Sequence, residues 1–487
     1  MHSSTKFVLT AVAAGLVVGG SATPVAAAPA QQKYIVAFVP GQVHADVASL
    51  ARDSSRASGA QVVTAFDAVK AAVVTADAAA AARLARDPRV AAVSPDGPVH
   101  ADVIQPVPGA PSAWGLDRID QRARPVNRSY NYTVSAANVH AYVIDTGITP
   151  THPEFGGRAS VGADFIGDGR AGIDCDGHGT HVAGTVGSTT YGVAKSVKLV
   201  GVRVLDCAGS GTFAGVIAGM NWVATNAVKP AVANMSLGGG YSRAVDIAAN
   251  NLIESGVSLS VSAGNANVDA CNSSPAATLA ALTVGSSGTF ESATAPETDA
   301  RSSFSNFGPC LDLFAPGANI RSTWLAGSTN TISGTSMAAP HVAGVAALYL
   351  SQVPTANPLQ VRNYLVGLAT PNLVTSPGTG SPNKLLFAGA PSVTTLDVTP
   401  EPVARDTAIL ARGTVKAGGA PVAGTPVRLL FQATGTTAFV LKATVPTTAT
   451  GSFAASVKQS VSGTWRAQVL SVPLVKGSVA DDAVAVV

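Results

Sequence analysis

Short apolar runs of strand length alternate with helix-like runs through the middle of this chain, from about residue 114 to residue 390. This alternation predicts strand–helix–strand units, in which neighbouring strands are parallel and the connecting helices cover the faces of the sheet. The strands are predicted at 139–144, 197–205, 231–236 and 257–262, and the helices at 178–187, 211–227 and 244–255. The central block is therefore expected to be an α/β domain with a parallel sheet.

The length of the chain indicates more than one domain. It has 487 residues, of which 47% are hydrophobic, so two or three domains with a large buried core are expected. The formal net charge is +3 and only 12% of the residues are charged. This composition has neither a basic stripe nor an acidic tail, which argues against a nucleic-acid-binding protein.

The first thirty residues have the pattern of a secretory signal peptide. Lys6 precedes an apolar run at 7–20, and small residues follow as far as Ala30. Cleavage is expected after Ala30 or after Ala27. The apolar run is shorter than the ~20 residues of a membrane span, so the mature chain is predicted to be secreted, extracellular and free of the membrane.

The segments on either side of the central block differ from it in composition. Residues 31–106 predict a small α+β unit, which ends in a Pro-rich linker at 105–111 where cleavage is plausible. The catalytic block is taken as 107–390. Residues 391–487 consist of short alternating runs rich in Val, Thr, Ala and Gly, which predict a C-terminal β-sandwich.

Three motifs place chemically active residues at strand-to-helix junctions. Asp145 ends an apolar strand, His178 lies between two glycines at a helix start, and Ser336 begins an apolar helix. Taken singly, the Asp and Ser could be helix caps and the His a buried structural imidazole. The three occur in the chain order Asp, His, Ser, which is one of the orders found for serine-protease triads. Together they predict that Ser336 is a nucleophile, that His178 is its general base and that the Asp145 carboxylate orients His178.

These motifs, with those at 234–239 and 262–265, resemble the subtilase family, and specifically its proteinase K and aqualysin branch. The likeness runs from Trp114 to Leu386, over half of the chain. It implies a subtilisin-like doubly wound parallel sheet and a serine endopeptidase with Asp145, His178 and Ser336 as triad. The Asn265 amide and the Ser336 backbone N–H would stabilise the oxyanion.

The resemblance also implies where a substrate side chain binds. The walls of the main specificity pocket would be formed by the following residues: Ser236, Leu237, Gly238, Gly239, Ala263 and Gly264. None of them is acidic, so a preference for large apolar or aromatic residues before the scissile bond is expected rather than for Lys or Arg. The glycines would let a peptide substrate approach as an added strand.

Four cysteines in an exported chain predict two disulfides, and the residues alone leave three pairings open. The resemblance implies the pairs Cys175 with Cys207 and Cys271 with Cys310.

Structural calcium is implied by resemblance as well, with no catalytic cofactor. One site would use the Asp312 carboxylate and the carbonyls of Leu279 and Ala281. A second would use Asp117, Asp120 and Gln121. Two later ligand positions of this second site carry Asn127 and Ser129, where a relative can carry Asp and Asn.

Residues 31–106 resemble the inhibitory propeptide of subtilases. This implies a self-processing zymogen whose own propeptide blocks the cleft, with protein or peptide substrates as the other partners; an independent binding domain is the alternative. A monomer is expected.

Two other functions predict different sequence features. A protease fold without turnover predicts a broken triad, and none is seen. An α/β-hydrolase predicts Gly-x-Ser-x-Gly, which the sequence around Ser336 does not match.

Overall fold

A computed structural model describes residues 30–39, 46–102, 114–289, 298–389, 392–417, 420–470 and 477–487, without 123, 125, 127, 128 and 133. The predicted signal peptide up to residue 29, the linker at 105–111 and Asn127 lie outside the described residues. Within these ranges, no helix has the length and apolar character needed to cross a membrane.

The first unit is an antiparallel sheet with two helices. Its elements are β1 (Gln32–Phe38), α1 (Val47–Ser58), β2 (Gln61–Phe66), β3 (Ala71–Ala76), α2 (Ala78–Leu84) and β4 (Val90–Pro95). The strand order is β2-β3-β1-β4. One face of the sheet packs on α1 and α2. Residues of the other face, including Ile35 and Val73, belong to the core of the central unit, so the two central strands, β1 and β3, are largely buried on both sides.

The central unit holds the predicted strand–helix alternation. Its first half comprises β5 (Pro98–Ala101), α3 (Trp114–Ile119), β6 (His140–Asp145), β7 (Ala159–Asp164), α4 (His178–Gly187), β8 (Lys198–Arg203), β9 (Ser210–Thr212), α5 (Phe213–Asn226), β10 (Ala231–Met235), β11 (Leu237–Gly240) and α6 (Arg243–Glu254). Its second half comprises β12 (Ser258–Ser262), β13 (Ser273–Ser274), β14 (Leu282–Thr289), β15 (Asp299–Arg301), β16 (Leu313–Pro316), β17 (Ile320–Thr323), β18 (Thr329–Ile332), α7 (Thr335–Gln352), α8 (Pro358–Leu368), β19 (Thr370–Pro371) and β20 (Lys384–Leu385).

The large sheet of this unit has the order β7-β8-β6-β10-β12-β14-β16-β20-β19, with β15 paired to β14. The strands from β7 to β20 are parallel, while β15 and β19 are antiparallel additions. Helices α4 and α7 pack on one face and α5 and α6 on the other. The central strands are therefore apolar on both sides, which confirms the predicted α/β sheet.

Helix boundaries follow local capping chemistry. The helix predicted at 211–227 begins at Phe213, because the Thr212 side chain accepts a hydrogen bond from the Gly215 N–H and so caps it. Helix α7 is buried almost throughout its length, as its run of small apolar residues requires.

The last unit consists of two antiparallel sheets around a separate core. Its strands are β21 (Ser392–Thr394), β22 (Asp397–Thr399), β23 (Thr407–Ala417), β24 (Ala420–Pro421), β25 (Pro426–Ala433), β26 (Val440–Pro446), β27 (Ser452–Gln459), β28 (Gly463–Val469) and β29 (Val479–Val484). The core includes Leu429, Phe453 and Trp465. Within the described residues, no strand of this unit pairs with the large parallel sheet.

Candidate active site

Asp145 is the last residue of β6, at the carboxyl edge of the parallel sheet. Its side chain is inaccessible to solvent. Oδ1 accepts hydrogen bonds from the Thr146 N–H at 2.7 Å and from His178 Nδ1 at 2.6 Å. A carboxylate in this position fixes the orientation of the imidazole and the nitrogen that carries its proton.

His178 is the first residue of α4, and the turn before it passes through Gly177 with φ +107°. A side chain is strained in that conformation, so glycine suits the position. Nε2 of His178 is buried and has no hydrogen-bond partner among the described residues. Burial by itself would lower the pKa of His178, but the charge and hydrogen bond of Asp145, with Asp176 and Asp174 nearby, raise it above the usual value.

Ser336 is the second residue of α7, a helix that packs against α4. Its hydroxyl donates to the Ser236 carbonyl at 3.0 Å, and the Ser236 hydroxyl donates to the Ser336 carbonyl at 2.8 Å. The structure thus joins Asp145 to His178 but does not join His178 to Ser336 by a hydrogen bond. The serine hydroxyl would have to turn away from Ser236 to meet Nε2, an adjustment common when no substrate is in reaction.

Asn265 presents an amide nitrogen beside the start of α7. Its Oδ1 accepts from Thr335 N–H at 3.0 Å and from Thr335 Oγ1 at 2.9 Å. These two donors fix the amide orientation, since only the oxygen can accept. Nδ2 is left buried and without a partner in the described part of the chain. A free, oriented donor of this kind can stabilise a developing oxyanion.

Two supporting residues were missed by the sequence reasoning. Thr335 orients Asn265 as described. Asp174 is buried and accepts from Thr146 Oγ1 at 2.9 Å, from Gly177 N–H at 2.9 Å and from Thr180 Oγ1 at 2.6 Å. It ties the end of β6 to the start of α4 and so holds Asp145 and His178 together. The sequence signal that could have indicated Asp174 is its position as a second acidic residue shortly before the motif that contains His178.

A cavity of about 150 Å³ lies next to Asn265. Gly238, Gly239, Ala263 and Gly264 line it, as the specificity-pocket prediction expected. Ser236 and Leu237 are not among its lining residues, and both are fully buried. Further lining comes from residues outside the predicted set: Asp102, Ser262, Ala266, Ser273, Ala276 and Asn306.

Strand β5 fills the groove that leads to this cavity. It lies between β9 and β11 and is antiparallel to both, with His100 opposite Gly238 and Ala101 opposite Leu237. The next N–H, that of Asp102, points to the Ser236 carbonyl at 3.4 Å. A segment of the chain itself thus occupies the added-strand position expected for a peptide substrate.

The residues predicted for the first calcium site do not fit a metal ion. Arg362 of α8 donates to Asp312 Oδ1 at 2.5 Å and to the Ala281 carbonyl at 3.3 Å. Asp312 Oδ2 accepts from the Thr283 N–H, and the Leu279 side chain is 69% exposed. A guanidinium therefore holds the two oxygens that the ion would need, and it supplies the positive charge itself.

The residues predicted for the second site fit a cation better. Asp117, Asp120 and Gln121 are all buried. Asp120 Oδ1 has no hydrogen-bond partner within the described residues, while Oδ2 accepts from the Asn131 N–H at 2.5 Å. Burial, with the nearby Asp117 charge, raises the pKa of Asp120 to about 6. Two buried carboxylates with a spare oxygen suit a hard cation such as Ca²⁺.

Both implied cysteine pairs are present as disulfides. Cys175 is joined to Cys207 and Cys271 to Cys310, and no free cysteine is left. The first bond lies in the loop just before His178, so it limits the motion of the segment that carries the imidazole.

Comparison with known proteins decides the family. The model of the subtilase family (Peptidase_S8) matches residues 138–388, slightly more than half of the chain. This chain belongs to the subtilase family. The subtilase motifs identified in the sequence are thereby confirmed, and with them the class of enzyme, a serine endopeptidase.

The relatives and the solved structure that this subtilase resembles are also named as serine proteases. An extracellular serine proteinase of Thermus sp. (strain Rt41A) is 57% identical over 63% of this chain and 72% of its own length. The alkaline serine exoprotease A of Vibrio alginolyticus is 52% identical over 63% of this chain, which spans 56% of that relative. The crystal structure of a cold adapted subtilisin-like serine proteinase matches 57% of this chain and 99% of its own, with 55% identity and a TM-score of 0.54.

Proposed function

We propose that this subtilase is a secreted endopeptidase that works through Asp145, His178 and Ser336, with Asn265 as an oxyanion donor. The observation that carries the proposal is the buried 2.6 Å hydrogen bond between Asp145 and His178. It leaves Nε2 of His178 without a partner among the described residues, at the edge of the sheet where α7 begins and carries Ser336 as its second residue.

The mechanism is acyl transfer. Ser336 Oγ attacks the carbonyl carbon of the peptide bond while His178 Nε2 takes the hydroxyl proton. The carbonyl oxygen becomes an oxyanion, which the Asn265 Nδ2 and the Ser336 N–H stabilise; the latter lies at the positive end of α7. His178 then gives the proton to the leaving amine, and water releases the acyl group by the same steps in reverse. No cofactor is needed for this chemistry.

The preferred substrate is a polypeptide with a large apolar or aromatic residue before the scissile bond. Support comes from the glycine-rich cavity beside Asn265: apart from Asp102, which belongs to the proposed propeptide, its described walls carry no charged residue. The groove next to β11 accepts an extended strand, which suits cleavage within a polypeptide chain.

Residues 31–106 are proposed to be the inhibitory propeptide. Their sheet packs on α5 and α6 through residues such as Ile35, Phe66 and Val73. At the start of α5, Asp96 Oδ1 accepts from the Ala214 N–H at 2.9 Å, which places a carboxylate at the positive end of that helix. With β5 in the substrate groove, this contact keeps the site closed until processing.

Secretion and calcium complete the proposal. The signal peptide at 1–30 would direct export, in line with the Thermus relative that is named extracellular. The site at Asp117, Asp120 and Gln121 would hold a structural Ca²⁺, while the site at Asp312 would not.

Labelling the active serine tests the proposal directly. The mature protein is expected to react with a fluorophosphonate and to cleave casein, because an activated serine does both. The Ser336→Ala variant is expected to do neither, while its far-UV circular dichroism matches that of the unprocessed wild-type precursor. A correctly folded wild-type protein that neither labels nor cleaves casein would disprove the assignment.

A further inference from the structure

Strand β5 shows where successive residues of an extended chain lie in the groove. The Asp102 side chain lines the specificity cavity, so Ala101 marks the position one residue earlier. The Ala101 N–H donates to the Gly209 carbonyl at 2.9 Å. A substrate residue directly before the one in the specificity pocket is therefore expected to lie against the turn between β8 and β9.

A carboxylate lies beside this position. A Cβ atom added to Gly209 would be 3.4 Å from the Cβ of Ala101 and 3.8 Å from Oδ2 of Asp176. Both atoms are thus next to the same point, and the glycine leaves the space between the groove and the carboxylate open. A long side chain built from position 101 can reach Asp176 Oδ2.

The Asp176 carboxylate is held in place before any substrate arrives. Its Oδ1 accepts a hydrogen bond from the His178 N–H at 3.0 Å. The disulfide between Cys175 and Cys207 ties the segment that carries Asp176 to the turn that carries Gly209. A group that is already ordered costs little conformational entropy when it binds a ligand, so this carboxylate is preorganised as an acceptor.

The charge around Asp176 is mainly negative. Burial raises the pKa of Asp176, the nearby carboxylates of Asp174 and Asp145 add to the rise, and the N–H and the charge of His178 oppose it. A partly buried carboxylate among other carboxylates gains from a positive partner, because the partner offsets both the desolvation and the like-charge repulsion.

No arginine or lysine in the described part of the chain supplies that partner through a salt bridge to Asp176. Arg203 contacts Sγ of Cys175 at 3.4 Å, but its guanidinium is already paired with Asp168 at 2.6 Å and with Asp164 at 3.3 Å. The positive charge beside Asp176 can therefore come from a substrate.

We propose that Asp176 gives this enzyme a preference for lysine or arginine at the position directly before the residue that enters the specificity pocket. The inference rests on the proposed endopeptidase function and adds a second determinant of substrate choice to it. The alkyl part of the basic side chain would lie along Gly209, and its charged end would contact Asp176 Oδ2. The favoured substrates are polypeptides in which a basic residue precedes the apolar residue at the cut.

Three blocked chromogenic peptides test the preference on the mature enzyme. They differ only in the residue before the phenylalanine at the scissile bond, which is lysine, norleucine or alanine. Norleucine has nearly the length of lysine and no charge, so it separates charge from size. At about pH 8 lysine is charged and kcat/KM is expected to be about 5- to 10-fold higher for the lysine peptide than for the norleucine peptide.

The gain should appear mainly as a lower KM, because the ion pair is present in the bound substrate as well as in the transition state. It should also shrink at high salt, since part of the site is open to solvent. A wild-type enzyme that cleaves the norleucine peptide as well as the lysine peptide would overturn the inference while leaving the endopeptidase function intact. A folded mature enzyme that cleaves none of the three peptides would contradict both.

An Asp176→Asn variant assigns the preference to this carboxylate. Because Asp176 also acts on His178, the quantity compared is the lysine-to-norleucine ratio of kcat/KM within each variant, from which a common loss of activity cancels. The ratio is expected to fall to about one in Asp176→Asn. A ratio that stays at the wild-type value in this variant would show that another group selects the basic residue.

Asp406→Asn is the matched control, because it makes the same change of charge in the last unit. Asp406 is exposed and has φ +59°, a conformation that asparagine tolerates. This variant is expected to keep the wild-type lysine-to-norleucine ratio. An equal fall of the ratio in Asp406→Asn and Asp176→Asn would trace the effect to net charge and would overturn the inference.

Discussion

Asp145 and His178 are both fully buried, and their 2.6 Å hydrogen bond is one of the shortest between side chains in the central unit. Burial removes water that would otherwise compete for the imidazole, and the carboxylate then favours the protonated ring. Asp174 supports the pair by holding the loop between them. The proposed base therefore takes up a proton more readily than an exposed histidine does.

The pH profile of the mature enzyme follows from this. His178 must be neutral to accept the serine proton, and its pKa is raised. We expect kcat/KM for an uncharged peptide substrate to fall as pH decreases through an apparent pKa above 6.5, the usual value for histidine. A profile that holds its full activity well below that pH would contradict the role of Asp145.

The proposed oxyanion donor can be removed with little change to the fold. Asn265→Ala is expected to lower kcat by about 10² to 10³, because one preorganised donor is lost where charge develops. KM should change little. Asn226→Ala, on the exposed end of α5, is the control and should behave as wild type. Wild-type turnover in Asn265→Ala would disprove the role.

At the scale of elements, an arginine on a helix occupies the position that the sequence predicted for a calcium ion. Arg362 on α8 reaches back to Asp312, which follows the turn before β16, and to the Ala281 carbonyl before β14. The salt bridge and the hydrogen bond join α8 to the residues that directly precede β14 and β16. Directly after α3, in contrast, Asp120 Oδ1 has no hydrogen-bond partner in the described part of the chain.

The effect of a chelator on thermal stability distinguishes the two predicted calcium sites, at Asp120 and at Asp312. A chelator is expected to lower the melting temperature of the wild-type protein, because an ion bound only to the folded state stabilises it. Asp120→Asn should abolish that shift. Asp312→Asn should keep the shift, although its melting temperature without chelator should be lower than that of the wild type. A shift that survives in Asp120→Asn and disappears in Asp312→Asn would reverse the assignment.

At the scale of the whole molecule, the three units differ in how they share their cores. The sheet at the N-terminal end contributes side chains to the core under α5 and α6, so it is packed as part of the central unit. Among the described residues, the core of the last unit is formed by that unit's own side chains, such as Val398 and Trp465. The central unit is anchored up to Ala388, whose N–H donates to the Ile119 carbonyl.

A chain that stops after Gly389 tests this difference. We expect it to fold, to process itself and to cleave peptide substrates with a kcat/KM within about twofold of the full-length value. The physical reason is that no core contact of the catalytic unit is removed. A matched deletion of residues 31–102 should instead give little folded enzyme. Loss of folding in the first deletion would show that the last unit is needed.

The alternation of apolar runs was enough to predict the parallel sheet, and the motifs around Asp145, His178 and Ser336 were enough to predict the family. Both signals are local, because strand length, helix period and the turn at a strand end are set by neighbours in the chain. The family and the enzyme class are confirmed. The triad and pocket assignments stay predictions, supported by the geometry.

Contacts between distant residues were decided only by the tertiary structure. Thr335 fixes the orientation of the Asn265 amide, and Arg362 forms a salt bridge with the Asp312 carboxylate. The side chain of Asp102 lies in the pocket, where it accepts a hydrogen bond from Ser262. No spacing in the sequence encodes these pairs, since each needs the sheet to be assembled before its two side chains can meet. The sequence by itself determined which chemistry the chain carries, and packing determined which groups hold that chemistry in place.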